Sequence, residues 1–392
     1  MPPAPDQPAP PAADAVIRCA ASDPFQDWLA RAGGTLAVTT YQAGKVALIG
    51  WDAAAGQVTL LLRQFQKPMG LATRAGDDAR PDARPDARPR QLALATRHEV
   101  LLFADAPPLA PDYLESRRVP YDALYLPRAA WFTGDLNVHD IAFGAARDDA
   151  AGKLWLCNTR FSCLSRLSDE YSFVPAWRPP FVSDTVPEDR CHLNGLAMSP
   201  NGHPAFVTCL GATNAPGAWR DNKASGGVLV HVDSNQIVLR NLSMPHSPRL
   251  HDNALYLLNS GAGELWKIDP TRGSHDVVAA LPGYLRGLCF VGPHHAAVGL
   301  CQVREKHIFG DLPVQQRHKS LLCGVAILDL RTGAQVGLFE FTAGAQELYD
   351  VQFLPGVHRP MILNLEKEAA RQAFTAPHFA YWLRPINQVP PA

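Results

Sequence analysis

From Gly33 onward, apolar residues come in short runs separated by turn residues, the pattern of strands rather than of helices. Leu36-Ala37-Val38, Val46-Ala47-Leu48-Ile49 and Leu60-Leu61-Leu62 open the series. A two-run unit then recurs. Met69-Gly70-Leu71-Ala72 precedes Leu92-Ala93-Leu94-Ala95, Asp140-Ile141-Ala142-Phe143 precedes Leu154-Trp155-Leu156-Cys157, and Gly195-Leu196-Ala197-Met198 precedes Ala205-Phe206-Val207-Thr208. Further on, Arg249-Leu250 precedes Ala254-Leu255-Tyr256-Leu257, Gly287-Leu288-Cys289-Phe290 precedes Ala296-Ala297-Val298, and Asp350-Val351-Gln352-Phe353 precedes Met361-Ile362-Leu363. Six units predict an all-β fold, a single six-bladed β-propeller, because radial closure removes the edges that so many short strands would expose. A seven-bladed ring and a two-sheet sandwich are the competing arrangements.

The flanks read differently. Phe25, Trp28 and Leu29 lie at helical spacing behind Pro24, which predicts a short N-terminal helical cap. Residues 1–22 open with a Pro/Ala-rich stretch and are expected as a disordered tail, leaving 23–385 as the propeller domain. Within it, Asp-Ala-Arg-Pro occurs three times between Asp77 and Arg90, so 77–90 is expected as a disordered loop insertion whose prolines forbid ladder hydrogen bonds.

Composition narrows the function. The chain has 392 residues, 47% hydrophobic and 19% charged, with a formal net charge of -1. That balance supplies a large core and no electrostatic footprint for nucleic acid or an anionic membrane. The eight cysteines contain no Cys-x-x-Cys pair, which argues against a zinc ribbon or a small disulfide framework. No signal peptide or membrane-spanning apolar stretch is apparent, so the expected location is the cytoplasm. Gly-x-Ser-x-Gly, the phosphate-loop pattern and His-Glu-x-x-His are absent, which disfavours an α/β-hydrolase, a P-loop enzyme and a zincin.

Three histidines stand immediately before strand-like runs: His139, His192 and His246, at intervals of 53 and 54 residues, the size of one propeller blade. The starts of inner strands converge on one mouth of a propeller channel, so these imidazoles are expected to share it. Neutral imidazole suits Fe, Cu or Zn, and three with an open position make a catalytic metal site. Asp140, Asn194, Glu347 and Asp350 are candidate acceptors for the second ring nitrogens, or additional ligands. Arg286 has a donor fork for a carboxylate or phosphate, or pairs with Asp350 or Glu347. Asp350, Glu347 and Arg286 are thus the catalytic candidates, and Arg286, Asn194, Tyr349 and Trp177 the candidates for substrate binding. For each histidine the structural alternative is a channel-lining ring bonded to backbone.

Several long strings carry a resemblance: Gly33 to Lys45, Asn158 to Leu164, Ser172 to Phe181, Glu188 to Gly195, Ser243 to Arg249 and Leu281 to Leu288. Together they resemble an uncharacterised bacterial family known only by conserved-hypothetical labels, some of whose members are fused to tetratricopeptide repeats. The resemblance runs from about Phe25 to about Met361 and implies one propeller domain without supplying an activity. The function expected from the residues is a metal-dependent enzyme acting on a small molecule or peptide with an anionic group, O2-dependent oxidation being preferred over lactone or ester hydrolysis. The alternatives are a non-catalytic module that binds a peptide or protein partner, and a purely structural scaffold.

Overall fold

The computed structural model describes residues 16–75, 88–113, 120–145, 154–303 and 310–383. The chain folds as six antiparallel blades, an all-β propeller with an N-terminal helix; five of the expected units open blades 2 to 6, whereas the sixth is split, Val351–Pro355 joining blade 1 and Pro360–Ile362 blade 2. Blade 1 comprises Gly34–Thr40, Lys45–Asp52 and Gln57–Gln64, with Val351–Pro355 from the far end of the chain as its inner strand. Blade 2 runs from Leu71–Arg74 through Gln91–Ala95 and Glu99–Asp105 to Ala123–Phe132. Blade 3 runs from Val138–Phe143 to Val174–Trp177, blade 4 from Leu193–Met198 to Gln236–Leu242, blade 5 from Pro245–His251 to Ser274–Ala280, and blade 6 from Tyr284–Val291 to Gln335–Ala343. Each inner strand packs beside those of the preceding and following blades, so the ring closes.

Two blades carry a fifth strand. Arg18–Ala21 pairs antiparallel with Gln335–Ala343 on blade 6, so this part of the expected 1–22 tail belongs to the sheet. Cys19 opposite Phe341 and Ala21 opposite Phe339 supply ordinary ladder pairing. Pro360–Ile362 adds to blade 2 in parallel.

The helix Asp23–Ala32 starts where Ser22 Oγ accepts the Phe25 N–H at 3.3 Å and ends at Gly33, left-handed at φ 67°. Its buried face, Phe25, Trp28 and Leu29, packs into the seam of blades 6 and 1 beside Phe339, Phe353 and Ile49. Facing sheets fill the other seams with similar apolar clusters.

Residues 76–87, most of the Asp-Ala-Arg-Pro tract, lie outside the described residues. Arg88 to Arg90 do not share the expectation of a free loop. The Arg88 guanidinium lies 2.9 Å from the fully buried Asp105 carboxylate, Tyr125 donates to the Pro89 carbonyl at 3.0 Å, and the Arg90 N–H donates to the Arg74 carbonyl at 2.9 Å. Arg88→Ala leaves that carboxylate without its counter-charge. It is expected to cost about 2 kcal/mol, below the range for a fully buried pair because Arg88 is itself a third exposed. Tyr125→Phe is expected to cost about 1 kcal/mol. Equilibrium denaturation of both variants checks this, and midpoints equal to wild type would exclude 88–90 from the cooperative unit.

Candidate functional site at the mouth of the channel

The mouth is built on an alternation around the ring. Blades 1, 3 and 5 begin their inner strands with Tyr349-Asp350, His139-Asp140 and His246-Ser247, and blades 2, 4 and 6 with Met69-Gly70, Asn194-Gly195 and Arg286-Gly287. Each acceptor of an odd blade takes a backbone N–H from the next even blade: Asp350 from Leu71 at 2.9 Å, Asp140 from Leu196 at 2.9 Å, and Ser247 from Gly287 at 3.2 Å. The glycines are required by close approach. A Cβ on Gly195 would lie 2.4 Å from Pro248 Cδ, and one on Gly287 2.6 Å from the Val351 nitrogen.

Arg249, two residues past Ser247, crosses the channel. It donates to Asp140 at 2.7 and 3.1 Å and stands 3.9 Å from Asp350. Asp140 and Asp350 are therefore committed to neighbouring amides and to Arg249, and are not the acceptors of the histidine nitrogens that their sequence positions suggested. Asn194 is engaged likewise, donating to the Pro245 carbonyl at 3.0 Å and accepting from Thr208 at 2.8 Å, so it ties blade 4 to blade 5.

His139 and His246 occupy equivalent places and are held alike. The residue two before each is left-handed, Asn137 at φ 54° and Met244 at φ 46°, and its carbonyl meets the ring Nδ1 at 2.8 and 2.9 Å. A hydroxyl from the second strand completes the clamp, Thr159 at 2.8 Å from His139 and Ser260 at 3.1 Å from His246. Thr159 gives its own proton to the Leu193 carbonyl, so the network assigns the imidazole proton to Nδ1. Nε2 then carries the lone pair, and in His246 that buried atom has no hydrogen-bond partner. Burial, with His192 as neighbour, holds His139 well below the usual histidine range; burial and the Arg286 charge do the same to His246. Both rings are neutral at pH 7.

His192 reaches the mouth by another route. The position equivalent to His139 and His246 in blade 4 is Asn194, since Val138, Leu193 and Pro245 pair with Asn158, Cys209 and Asn259 in turn. His192 stands two residues earlier, left-handed at φ 51°. Its ring meets His139 edge to face at 4.5 Å and lies 4.3 Å from Trp219. Its Nδ1 faces the Asp189 carboxylate at 2.9 and 3.1 Å.

Tyr349 packs 5.4 Å from His139, and its buried hydroxyl has no hydrogen-bond partner. Arg286 lies among three phenols, its guanidinium carbon 4.9, 5.4 and 5.9 Å from the rings of Tyr349, Tyr284 and Tyr41. Burial pushes the Tyr284 and Tyr349 hydroxyls above the ordinary value, so both stay protonated. Glu347 lines, with Arg286, Tyr284 and Cys301, a small cavity of about 10 Å³, room for one water. Trp177 is elsewhere, on the outermost strand of blade 3, donating to Asn235 at 2.9 Å.

Thus His139, His192, His246, Arg286 and Tyr349 converge, with Glu347 alongside. Among the described residues, no group of three His, Cys, Asp or Glu side chains is arranged to hold a metal ion. Sequence alone did not point to Asp189, Trp219, Thr159, Ser260 or Arg249; the hydroxyl residue just past the second strand in blades 3 and 5 is the one signal for Thr159 and Ser260.

A family model, Domain of unknown function (DUF4915), matches residues 23–363. The chain belongs to this family. The DUF4915 match begins at the first residue of the N-terminal helix and ends one residue past the last strand of blade 2, so it takes in the four main strands of every blade and leaves out the added strand Arg18–Ala21. The hairpin of Ala373–Ala376 and Phe379–Trp382 lies beyond it. Comparison with curated proteins gives no match. Among solved structures, a chain of the "Crystal structure of Nidogen/Laminin Complex" is similar at TM-score 0.46 and 11% identity, over 83% of this chain and 100% of that one.

The channel network has a pH signature. Burial pushes Asp350 up to about 7, against the opposing pull of Arg249. A carboxyl whose folded pKa exceeds its unfolded value contributes stability below about pH 4 that is lost as pH rises through about 7. Asp350→Asn cannot lose it. The stability gap between variant and wild type is therefore expected to shift in the variant's favour from about pH 5 to about pH 8, as measured by guanidinium denaturation; a constant gap would contradict the shift.

Proposed function

We propose that the channel mouth is the active site of a metal-dependent enzyme acting on a small molecule with an anionic group. The observation that carries this reading is the common state of the three histidines. Each Nδ1 faces an oxygen acceptor, the Asn137 carbonyl, the Asp189 carboxylate or the Met244 carbonyl, which leaves Nε2 as the outward donor. Ligating histidines are held in this way.

The donor set fits the chemistry of Fe, Cu or Zn, and neutral imidazoles are in the form that ligates. Because no three donors meet at one point as they stand, ligation requires the rings to draw together. A bound ion would supply Lewis acidity or redox capacity. Arg286, always charged, is placed to orient a carboxylate or phosphate, and Tyr349 to donate a hydrogen bond beside it. A donor set in which carboxylates are not prominent favours oxidation over lactone or ester opening. Eight free cysteines agree with work in the reducing cytoplasm, and no helix among the described residues is long and apolar enough to cross a membrane.

Purified protein is expected to hold close to one equivalent of a first-row transition metal, and His139→Ala, His192→Ala and His246→Ala each to lower occupancy while the β-rich circular dichroism persists. Arg286→Lys should retain the metal. Elemental analysis decides: no metal after reconstitution with both Zn(II) and Fe(II) would turn the reading to the non-catalytic module that binds a peptide or protein partner.

A further inference from the structure

The three histidines are not held by the same device, and the exception is informative. His139 and His246 use the repeat's own clamp, a carbonyl two residues back and a second-strand hydroxyl, Thr159 or Ser260. Blade 4 lacks that clamp. The residue following Cys209 on its second strand is Leu210, where blades 3 and 5 have Thr159 after Asn158 and Ser260 after Asn259. Asp189 stands in instead. Asp189 and His192 are both left-handed, at φ 48° and 51°, and this curl in Asp189-Arg190-Cys191-His192 brings the carboxylate to the ring. Left-handed conformations at two non-glycine residues cost free energy, and hydrogen bonds from the Asp189 N–H to the Arg160 carbonyl and from the Leu210 N–H to the His192 carbonyl hold the curl in place. The carboxylate is itself oriented, accepting from Trp219 Nε1 at 3.1 Å with Arg220 at 3.8 Å, and Trp219 packs on His192.

We infer that Asp189 is a positioning residue, which fixes the Nδ1–H form of His192, aims its Nε2 into the mouth and makes that nitrogen a stronger donor than those of His139 and His246. A carboxylate behind an imidazole raises ligand basicity, whereas a backbone carbonyl does so less. The consequence for the metal rests on the function proposed above; the consequence for the ring does not.

The test uses full-length protein carrying ¹⁵N-labelled histidine, with the His192 signals assigned by their loss in His192→Gln. Long-range nitrogen–proton spectra of the metal-free protein are expected to show Nδ1 protonated in wild type and that preference weakened in Asp189→Asn, whose neutral amide keeps one acceptor oxygen, shared with Trp219, and loses the charge that favours Nδ1–H. Wild-type His192 protonated at Nε2 would overturn the assignment with no variant needed, as would an unchanged Nδ1–H form in folded Asp189→Asn. Chelator competition with Zn(II) reads the second half: affinity is expected to fall about 10- to 100-fold in Asp189→Asn, and an unchanged affinity would overturn the donor role. If wild type binds no Zn(II), the metal reading fails and the spectra alone decide the positioning role.

Discussion

The structure depends on six amides and side chains that meet around one axis. A propeller has no central core element, so its inner strands must be joined where they crowd together, and here odd blades contribute an acceptor while even blades contribute a gap. Asp350, Asp140 and Ser247 each satisfy an N–H of the next blade that would otherwise be buried without a partner. Gly70, Gly195 and Gly287 allow the odd blade that follows each of them to approach as closely on the other side. Two carboxylates and one hydroxyl leave a net negative channel, and Arg249 compensates from the blade that has serine in place of aspartate. Removing that arginine would take the counter-charge from the buried Asp140 carboxylate and push the Asp350 carboxyl further towards its neutral form.

The same alternation positions the mouth. One residue outward from each acceptor come Tyr349, His139 and His246, and one residue outward from each glycine come Met69, Asn194 and Arg286. Each is followed within two residues by a group bonded to a neighbouring blade, so the site residues inherit the rigidity of the ring. The strained turns lie just before them, at Asn137, Met244, Asp189 and His192. Rigid strands followed outward by strained turns are the arrangement that holds side chains in fixed orientation without support from solvent.

Much of this was legible in the sequence, and the failures are specific. Apolar runs locate the inner strands to within a few residues, because strand burial is a local property. The periodicity of the histidines misled in detail: 53 and 54 residues match a blade, yet the equivalent positions are 139, 194 and 246, and His192 arrives by a local curl. Asp350 and Asn194 looked chemical because they are polar at strand starts, but amide crowding at the axis consumes them. Trp177 looked like a pocket wall, though it occurs on an outer strand. Asp189 escaped because a contact with the residue three along depends on two left-handed dihedrals that no residue type announces.

Blade 1 joins strands from opposite ends of the chain, and Thr39 Oγ1 accepts the Asp350 N–H across 311 residues. During synthesis, blades 2 to 6 can assemble behind the ribosome one after another, while strand Gly34–Thr40 waits with an unpaired edge until Val351–Pro355 emerges. Tyr349 and Asp350 arrive in the same event. The mouth is therefore completed only at ring closure, the step with the largest loop to close: before it, blades 3 to 6 carry the three histidines and Arg286 without Glu347, Tyr349 and Asp350.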